Sequence, residues 1–161
     1  MSLTLKLALS PLLAWQAVRT RRRIPKLPEA EGRRQGAVGE GRVVRLLVAG
    51  DSSAAGVGVA LQSQALAAPL ARKLAERWGC RVEWQLVARS GLNTSQTLNL
   101  MRAACARADV AVVVSGVNDV VEQISSQRAV RTRQALLAWL RHHGGVRHVA
   151  FLPLPPVHRF H

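Results

Sequence analysis

Eight consecutive residues, Val43 to Gly50 (VVRLLVAG), constrain this chain more than any other stretch. They are apolar, rich in β-branched side chains, and end on glycine. That is the pattern of a strand buried on both faces, as in a parallel sheet. A second such run lies at Asp109 to Ser115. Partial alternation marks a strand over Arg81 to Ala88, and a fourth over Arg147 to Pro153 is stopped by Pro153, Pro155 and Pro156. Between these runs the period changes to that of helices. Leu66, Leu70, Leu74 and Trp78 recur at four-residue steps over 63–78, with Pro69 either in the first turn or kinking the helix. Asn93 and Gln96 resemble a capping box ahead of Leu98, Met101 and Cys105 on one face. Residues 126–143 form a long helix with Val130, Leu136, Leu137 and Leu140 inward. Alternating strands and helices imply right-handed βαβ units. The expected fold is α/β: a flavodoxin-like three-layer α/β/α arrangement around a mostly parallel sheet.

In such sheets chemistry sits beyond the carboxyl ends of the strands. The first three strands are followed there by Gly50-Asp51-Ser52-Ser53, by Arg89-Ser90-Gly91-Leu92-Asn93, and by Ser115-Gly116-Val117-Asn118-Asp119. One loop offers a hydroxyl, one a glycine amide, one a side-chain amide. Acyl transfer needs this set: a nucleophile, and donors aimed at the oxygen that becomes negative. Ser52 supplies its Oγ and its own N–H, Gly91 lets backbone approach a substrate with no Cβ in the way, and Asn118 supplies an NH₂. Two plainer readings stay open at this point. Asp51 and Ser52 could cap a helix, and Asn118 could stabilise its own turn. The G-x-G-x-x-G and G-K-[ST] patterns of nucleotide-binding domains do not occur. Nor does the nucleophile elbow G-x-S-x-G, since position 54 is alanine.

GDS at 50–52 with its small-residue loop, the glycine of ARSG at 88–91, and GVND at 116–119 together resemble three blocks of the SGNH/GDSL hydrolases. The resemblance covers roughly 43–158. It implies an esterase or lipase in which Ser52 is the nucleophile and Ser52, Gly91 and Asn118 form the oxyanion hole, with no metal and no cofactor. The substrate class it implies is a small-molecule or lipid ester. The family places its base and orienting carboxylate on a late D-x-x-H motif, after a further strand and helix. No such motif occurs here, and no Asp or Glu follows Glu122. His142, His143 and His148 fall on a helix end and a strand start. His158 and His161 follow the prolines without a nearby acidic partner, which makes His158 a poor substitute base. The expectation is a partial SGNH-type domain over 43–161, lacking the last strand and helix, C-terminally truncated and inactive unless the missing block is supplied. The competing expectation is a non-catalytic, membrane-associated remnant.

The front of the chain is read separately. Residues 3–18 are mostly apolar but are interrupted by Lys6 and Pro11, short of the ~20 residues a spanning helix needs. Arg19, Arg21, Arg22, Arg23 and Lys26 follow directly. Residues 1–23 read as a peripheral anchor on an anionic inner leaflet, with a signal peptide and a packed helix as alternatives. That makes residues 1–26 a contact for an anionic membrane surface and the expected location cytoplasmic, with secretion left open. Residues 24–42, rich in proline, glycine and charge, read as a linker. The net charge of +14 raises nucleic acid as a partner. The later arginines are spread along helices without interleaved aromatics, so none is expected. With 48% apolar residues a packed core is within reach. Cys80 and Cys105 match no metal spacing and read as buried free thiols.

Overall fold

The computed structural model describes residues 27–154, together with Trp15 and Arg19. The elements in chain order are β1 (Gln35–Val38), β2 (Val43–Gly50), α1 (Ser52–Ala55), α2 (Ala67–Trp78), β3 (Arg81–Ala88), α3 (Thr94–Ala103), β4 (Val110–Val114), α4 (Val117–Val121), α5 (Ser126–His142) and β5 (His148–Phe151). They build one sheet in the order β1-β3-β2-β4-β5. β3, β2, β4 and β5 run parallel, and β1 joins β3 antiparallel. The expected α/β architecture is present.

The pleat of β2 shows how the layers form. Leu47 and Ala49 point to one face and pack with Val87, Ala111 and Val113 under Leu98 and Met101 of α3 and Leu136 and Leu140 of α5. Leu46 and Val48 point to the other and pack with Val82 and Leu86 under Ala67, Ala71 and Ala75 of α2. Every side chain from Leu46 to Ala49 is at most 1% exposed, as expected of a strand covered on both faces.

Several expectations need correction. Residues 27–42 are part of the folded domain rather than a linker: β1 pairs with β3 from Gln35↔Gln85 to Val38↔Val82, and Ala30 is buried. In α2 the fully buried row is Ala67, Ala71 and Ala75, while Leu66, Leu70 and Leu74 pack along its flank and Trp78 is half exposed. Small side chains let the helix lie close on the sheet, and the leucines, one position earlier and rotated by about 100°, fill the margins. Pro69 sits in the first turn, where its missing N–H costs nothing. Val130 is exposed. Cys105, expected on a buried face, lies just past α3 and is exposed with φ +47°, whereas Cys80 is buried. Of the front segment only Trp15 and Arg19 are described. The Arg19 guanidinium lies 5.0 Å from the Trp15 ring centre, and the rest of 1–23 lies outside the described residues. Among the described residues no helix is long and apolar enough to cross a membrane.

Candidate active site

Register brings the three loops together. Gly50, the last residue of β2, pairs with Ala88 at the end of β3 and with Val114 at the end of β4. The strands therefore stop level, and Ser52, Gly91 and Asn118 follow within two to four residues at the same edge. The strand ends are also tied crosswise: Asp51 N–H donates to Val114 O at 3.0 Å and Arg89 N–H to Gly50 O at 3.2 Å. Glycine is required at position 50, because a Cβ there would stand 2.0 Å from the Val114 carbonyl oxygen.

Ser52 opens α1, and Asp51 is its N-cap: the carboxylate accepts the Ser53 N–H at 3.0 Å. The capping reading of Asp51 is therefore the observed one. The first helical N–H has no intrahelical partner. With Asp51 engaged at Ser53, the Ser52 N–H is left free to face a ligand. The Ser52 side chain is half-buried and makes no hydrogen bond to a described residue. Burial pushes the Asp51 carboxyl above its ordinary pKa; the Ser53 N–H opposes this and the charge of Asp119 adds to it.

Gly91 is exposed at φ +80°, a conformation side chains avoid, and a Cβ there would meet nothing within 4 Å. Backbone shape, together with open space above it, accounts for the glycine. Asn118, on α4, donates from Nδ2 to Leu92 O at 2.9 Å. One amide hydrogen thus pins the third loop to the residue after Gly91, and the other remains available.

A buried lock holds these loops in place. Asp119 accepts the Thr94 N–H at 2.9 Å and the Thr94 hydroxyl at 2.5 Å. Thr94 Oγ1 and Ser115 Oγ stand 3.2 Å apart. A threonine has one hydroxyl proton, so Thr94 donates to the carboxylate and Ser115 donates to Thr94. Asn93 caps α3 through the expected capping box with Gln96, and its Nδ2 reaches Glu122 at 2.7 Å. On the other side, Glu29 accepts the Ser90 N–H at 2.5 Å and pairs with Arg34, whose Nη1 reaches Ala88 O at 2.7 Å. Burial raises the Glu29 pKa, but the Ser90 N–H and the Arg34 guanidinium outweigh it and hold the carboxyl below its ordinary value. Arg133 of α5 donates to Ser115 O at 3.3 Å and stacks over the Phe151 ring at 5.5 Å.

The structure brings Ser52, Gly91 and Asn118, the residues singled out from the sequence, to one edge; Thr94, Asp119 and Glu29, which tie the loops there, were not singled out. Asp119 carried a signal, a carboxylate followed directly by the apolar pair Val120 and Val121. Glu29 carried none, because it lay in the presumed linker. His148 opens β5 at the amino end of the sheet, paired with Val110, and His142 and His143 close α5 near the same end. They are at the opposite end from Ser52. His158 and His161 lie outside the described residues. A cleft of about 240 Å³ opens beside the third loop, lined by Gly116, Asp119, Val120, Ile124, Val130 and Leu154 among others; Ser52, Gly91 and Asn118 do not line it. Among the described residues no group of three or more His, Cys, Asp or Glu is placed to hold a metal ion.

Residues 48–161 match the family model of the GDSL-like lipase/acylhydrolase family. The chain belongs to that family. A solved structure of a mutant of the esterase AlinE4 aligns with a TM-score of 0.59 at 24% identity, over 74% of this chain and 64% of that one. The chain spans less than two thirds of that esterase, and at this identity the likeness is one of fold. Comparison with curated proteins gives no match. The matched region begins inside β2 and takes in all three loops, so the GDSL-like assignment and the level strand ends concern the same part of the molecule.

Proposed function

We propose that this GDSL-like domain carries the acyl-handling half of a serine ester hydrolase. Ser52 Oγ attacks the ester carbonyl, and the alkoxide that develops is met by the N–H groups of Ser52 and Gly91 and by Asn118 Nδ2. The tetrahedral adduct then collapses, expelling the alcohol and leaving an acyl group on Ser52, which water removes. The observation that carries this reading is the level ending of β2, β3 and β4, with Asn118 tied to Leu92 across the loops. Donors fixed in advance by the Asp119–Thr94 lock need no reorganisation when charge develops, which is why such donors are worth several kcal/mol.

The base must take the Ser52 proton and return it to the leaving alcohol. No described histidine is at this edge, and the sequence contains no D-x-x-H after GVND. In this reading the 161 residues by themselves turn over ester slowly, and a family-type C-terminal segment bearing D-x-x-H restores the rate. The test is hydrolysis of a short-chain p-nitrophenyl ester by the chain with and without such an extension. In the extended form Ser52→Ala should abolish turnover, and Asn118→Ala should lower kcat by about 10²–10³-fold. Extended protein whose rate is unchanged by Ser52→Ala would refute the assignment.

A further inference from the structure

The segment that leads into β1 touches both the nucleophile helix and the glycine loop. β1 runs antiparallel to β3, so residues 29–34 lie at the carboxyl end of the sheet. They stand ahead of residue 48, where the match to the family model begins. Leu86 N–H donates to Arg34 O at 2.7 Å and Arg34 Nη1 to Ala88 O at 2.7 Å, which fixes the segment along the end of β3. From there it holds the second loop. Gly91 is exposed, and a Cβ there would meet nothing within 4 Å, so packing does not fix the loop at that point. Hydrogen bonds hold it instead: Arg89 N–H to Gly50 O, Asn118 Nδ2 to Leu92 O, and Ser90 N–H to the Glu29 carboxylate. Glu29 is itself aimed by its pair with Arg34.

The same segment closes the Ser52 helix. α1 has four residues, too few to keep its shape alone. Asp51 caps its front. At its back, Ala55 O accepts the Ala30 N–H at 3.3 Å and Gln62 Nε2 at 2.9 Å, and Gln62 Nε2 also reaches Ala30 O at 3.1 Å. Glu31 N–H donates to Ala60 O at 2.9 Å, and Gln62 N–H to Glu31 O at 2.8 Å. Ala30 and Gln62 are buried, and a Cβ at Gly56, the C-cap of α1, would stand 2.8 Å from Ala30 Cβ. Buried polar groups bonded on several sides rigidify what they join. Glu29 and Ala30 are consecutive, so the attachment to the glycine loop and the attachment to the helix cannot move independently.

We propose that residues 29–34 and Gln62 form a strap that sets the Ser52 helix and the Gly91 loop relative to one another, with Glu29 and Gln62 as its positioning residues. The coupling of helix and loop stands on the geometry; its role in chemistry rests on the hydrolase reading above. In that reading the strap keeps the nucleophile and the Gly91 donor facing one carbonyl, where a misplacement of about 1 Å costs up to ~10²-fold in rate. Neither Glu29 nor Gln62 touches the reacting atoms.

The test uses the full chain and two readouts. The first is amide exchange by NMR, which needs no hydrolysis, with each rate taken relative to Val112 in the middle of β4. Glu29→Ala should speed exchange at Ser90 and, through Ala30, at Ala55 in α1, by about fivefold or more at each. Gln62→Leu should speed Ala55 and, in the reverse direction, Ser90. Glu29 is only half-buried, so Glu29→Ala carries the test should Gln62→Leu not fold. The second readout is the rate at which p-nitrophenyl acetate acetylates Ser52 in imidazole buffer. Glu29→Ala should lower it about tenfold or more. Glu29→Gln, which keeps an oxygen for the Ser90 N–H, should stay within about threefold of the unsubstituted chain. Gly145→Ala, a backbone change at the amino end of the sheet, should leave the rate unchanged. Exchange that speeds only at the substituted end overturns the strap. So does full-rate acetylation in Glu29→Ala, a Glu29→Gln as slow as Glu29→Ala, or an equal loss in Gly145→Ala. If Ser52 is acetylated in no form, the hydrolase reading fails and exchange alone decides the strap.

Discussion

Gly50→Ala should be among the most damaging single-methyl additions this domain can receive. The new Cβ would stand 2.0 Å from Val114 O, 2.8 Å from Val114 C and 3.1 Å from Ala54 Cβ. Carbon and oxygen tolerate an approach of about 3.3 Å, so the ends of β2 and β4 must part by roughly 1.3 Å. That parting breaks the 3.0 Å bond from Asp51 N–H to Val114 O. A lost backbone bond costs about 1 kcal/mol net, more if its groups stay buried. Forcing an extra carbon into a packed site costs about 1–3 kcal/mol. A loss of about 2–4 kcal/mol follows, against the ~5–15 kcal/mol by which domains are stable. Gly145→Ala is the control: that glycine has φ +68° with nothing within 4 Å of a Cβ, so only the backbone penalty of about 1–2 kcal/mol applies. Urea unfolding followed by circular dichroism reads both. Loss of the Gly50→Ala transition, or a midpoint well below that of Gly145→Ala, is expected. Midpoints within error of each other would refute the claim that the β2 and β4 ends are in close contact at Gly50.

Thr94→Val keeps the shape of a fully buried residue and deletes the hydroxyl bound to Asp119. It should cost about 1.5–3 kcal/mol, the range for a hydrogen bond to a charged group, read as a lower urea midpoint. Asp51→Asn keeps a side-chain oxygen for the Ser53 cap while removing the carboxyl whose pKa burial raises. The native state holds that proton to higher pH than the unfolded chain does, so the ionised group lowers stability as pH rises through and above the carboxylate range. The Tm of Asp51→Asn relative to the unsubstituted chain should therefore increase between about pH 4 and pH 7. Glu29→Gln should lower the Tm relative to the unsubstituted chain by a constant amount above about pH 5 and by less as pH falls further, because the Glu29 contribution is present above its unfolded pKa and lost as pH falls through the depressed folded one.

Strands β2 and β3 were legible to the residue because runs such as VVRLLVAG are too apolar to lie anywhere but between layers. The rule that chemistry follows strand ends then singled out Ser52, Gly91 and Asn118, which the level strand ends bring to one edge. β1 was not legible. Its four residues, QGAV, carry no pattern, and an antiparallel edge strand needs only free backbone on its neighbour. The inward face of α2 was misjudged by one position, because alanine rows that let a helix approach closely look weaker in sequence than the leucines beside them. The clamp from Glu29 to Ser90 spans 61 residues, a distance over which periodicity carries no information. The Asp119–Thr94 bond is hidden in the same way, 25 residues apart.

The central claim is that Ser52 is the residue acylated at this edge. The direct measurement is peptide mass spectrometry of the chain after brief exposure to p-nitrophenyl acetate in imidazole buffer, imidazole serving as a diffusible base. An acetyl group on the peptide beginning at β2 and carrying Ser52, absent from Ser52→Ala and reduced in Asn118→Ala, is the predicted result. Acetylation confined to lysines and the chain's amino terminus, with p-nitrophenol release the same in Ser52→Ala, would contradict it.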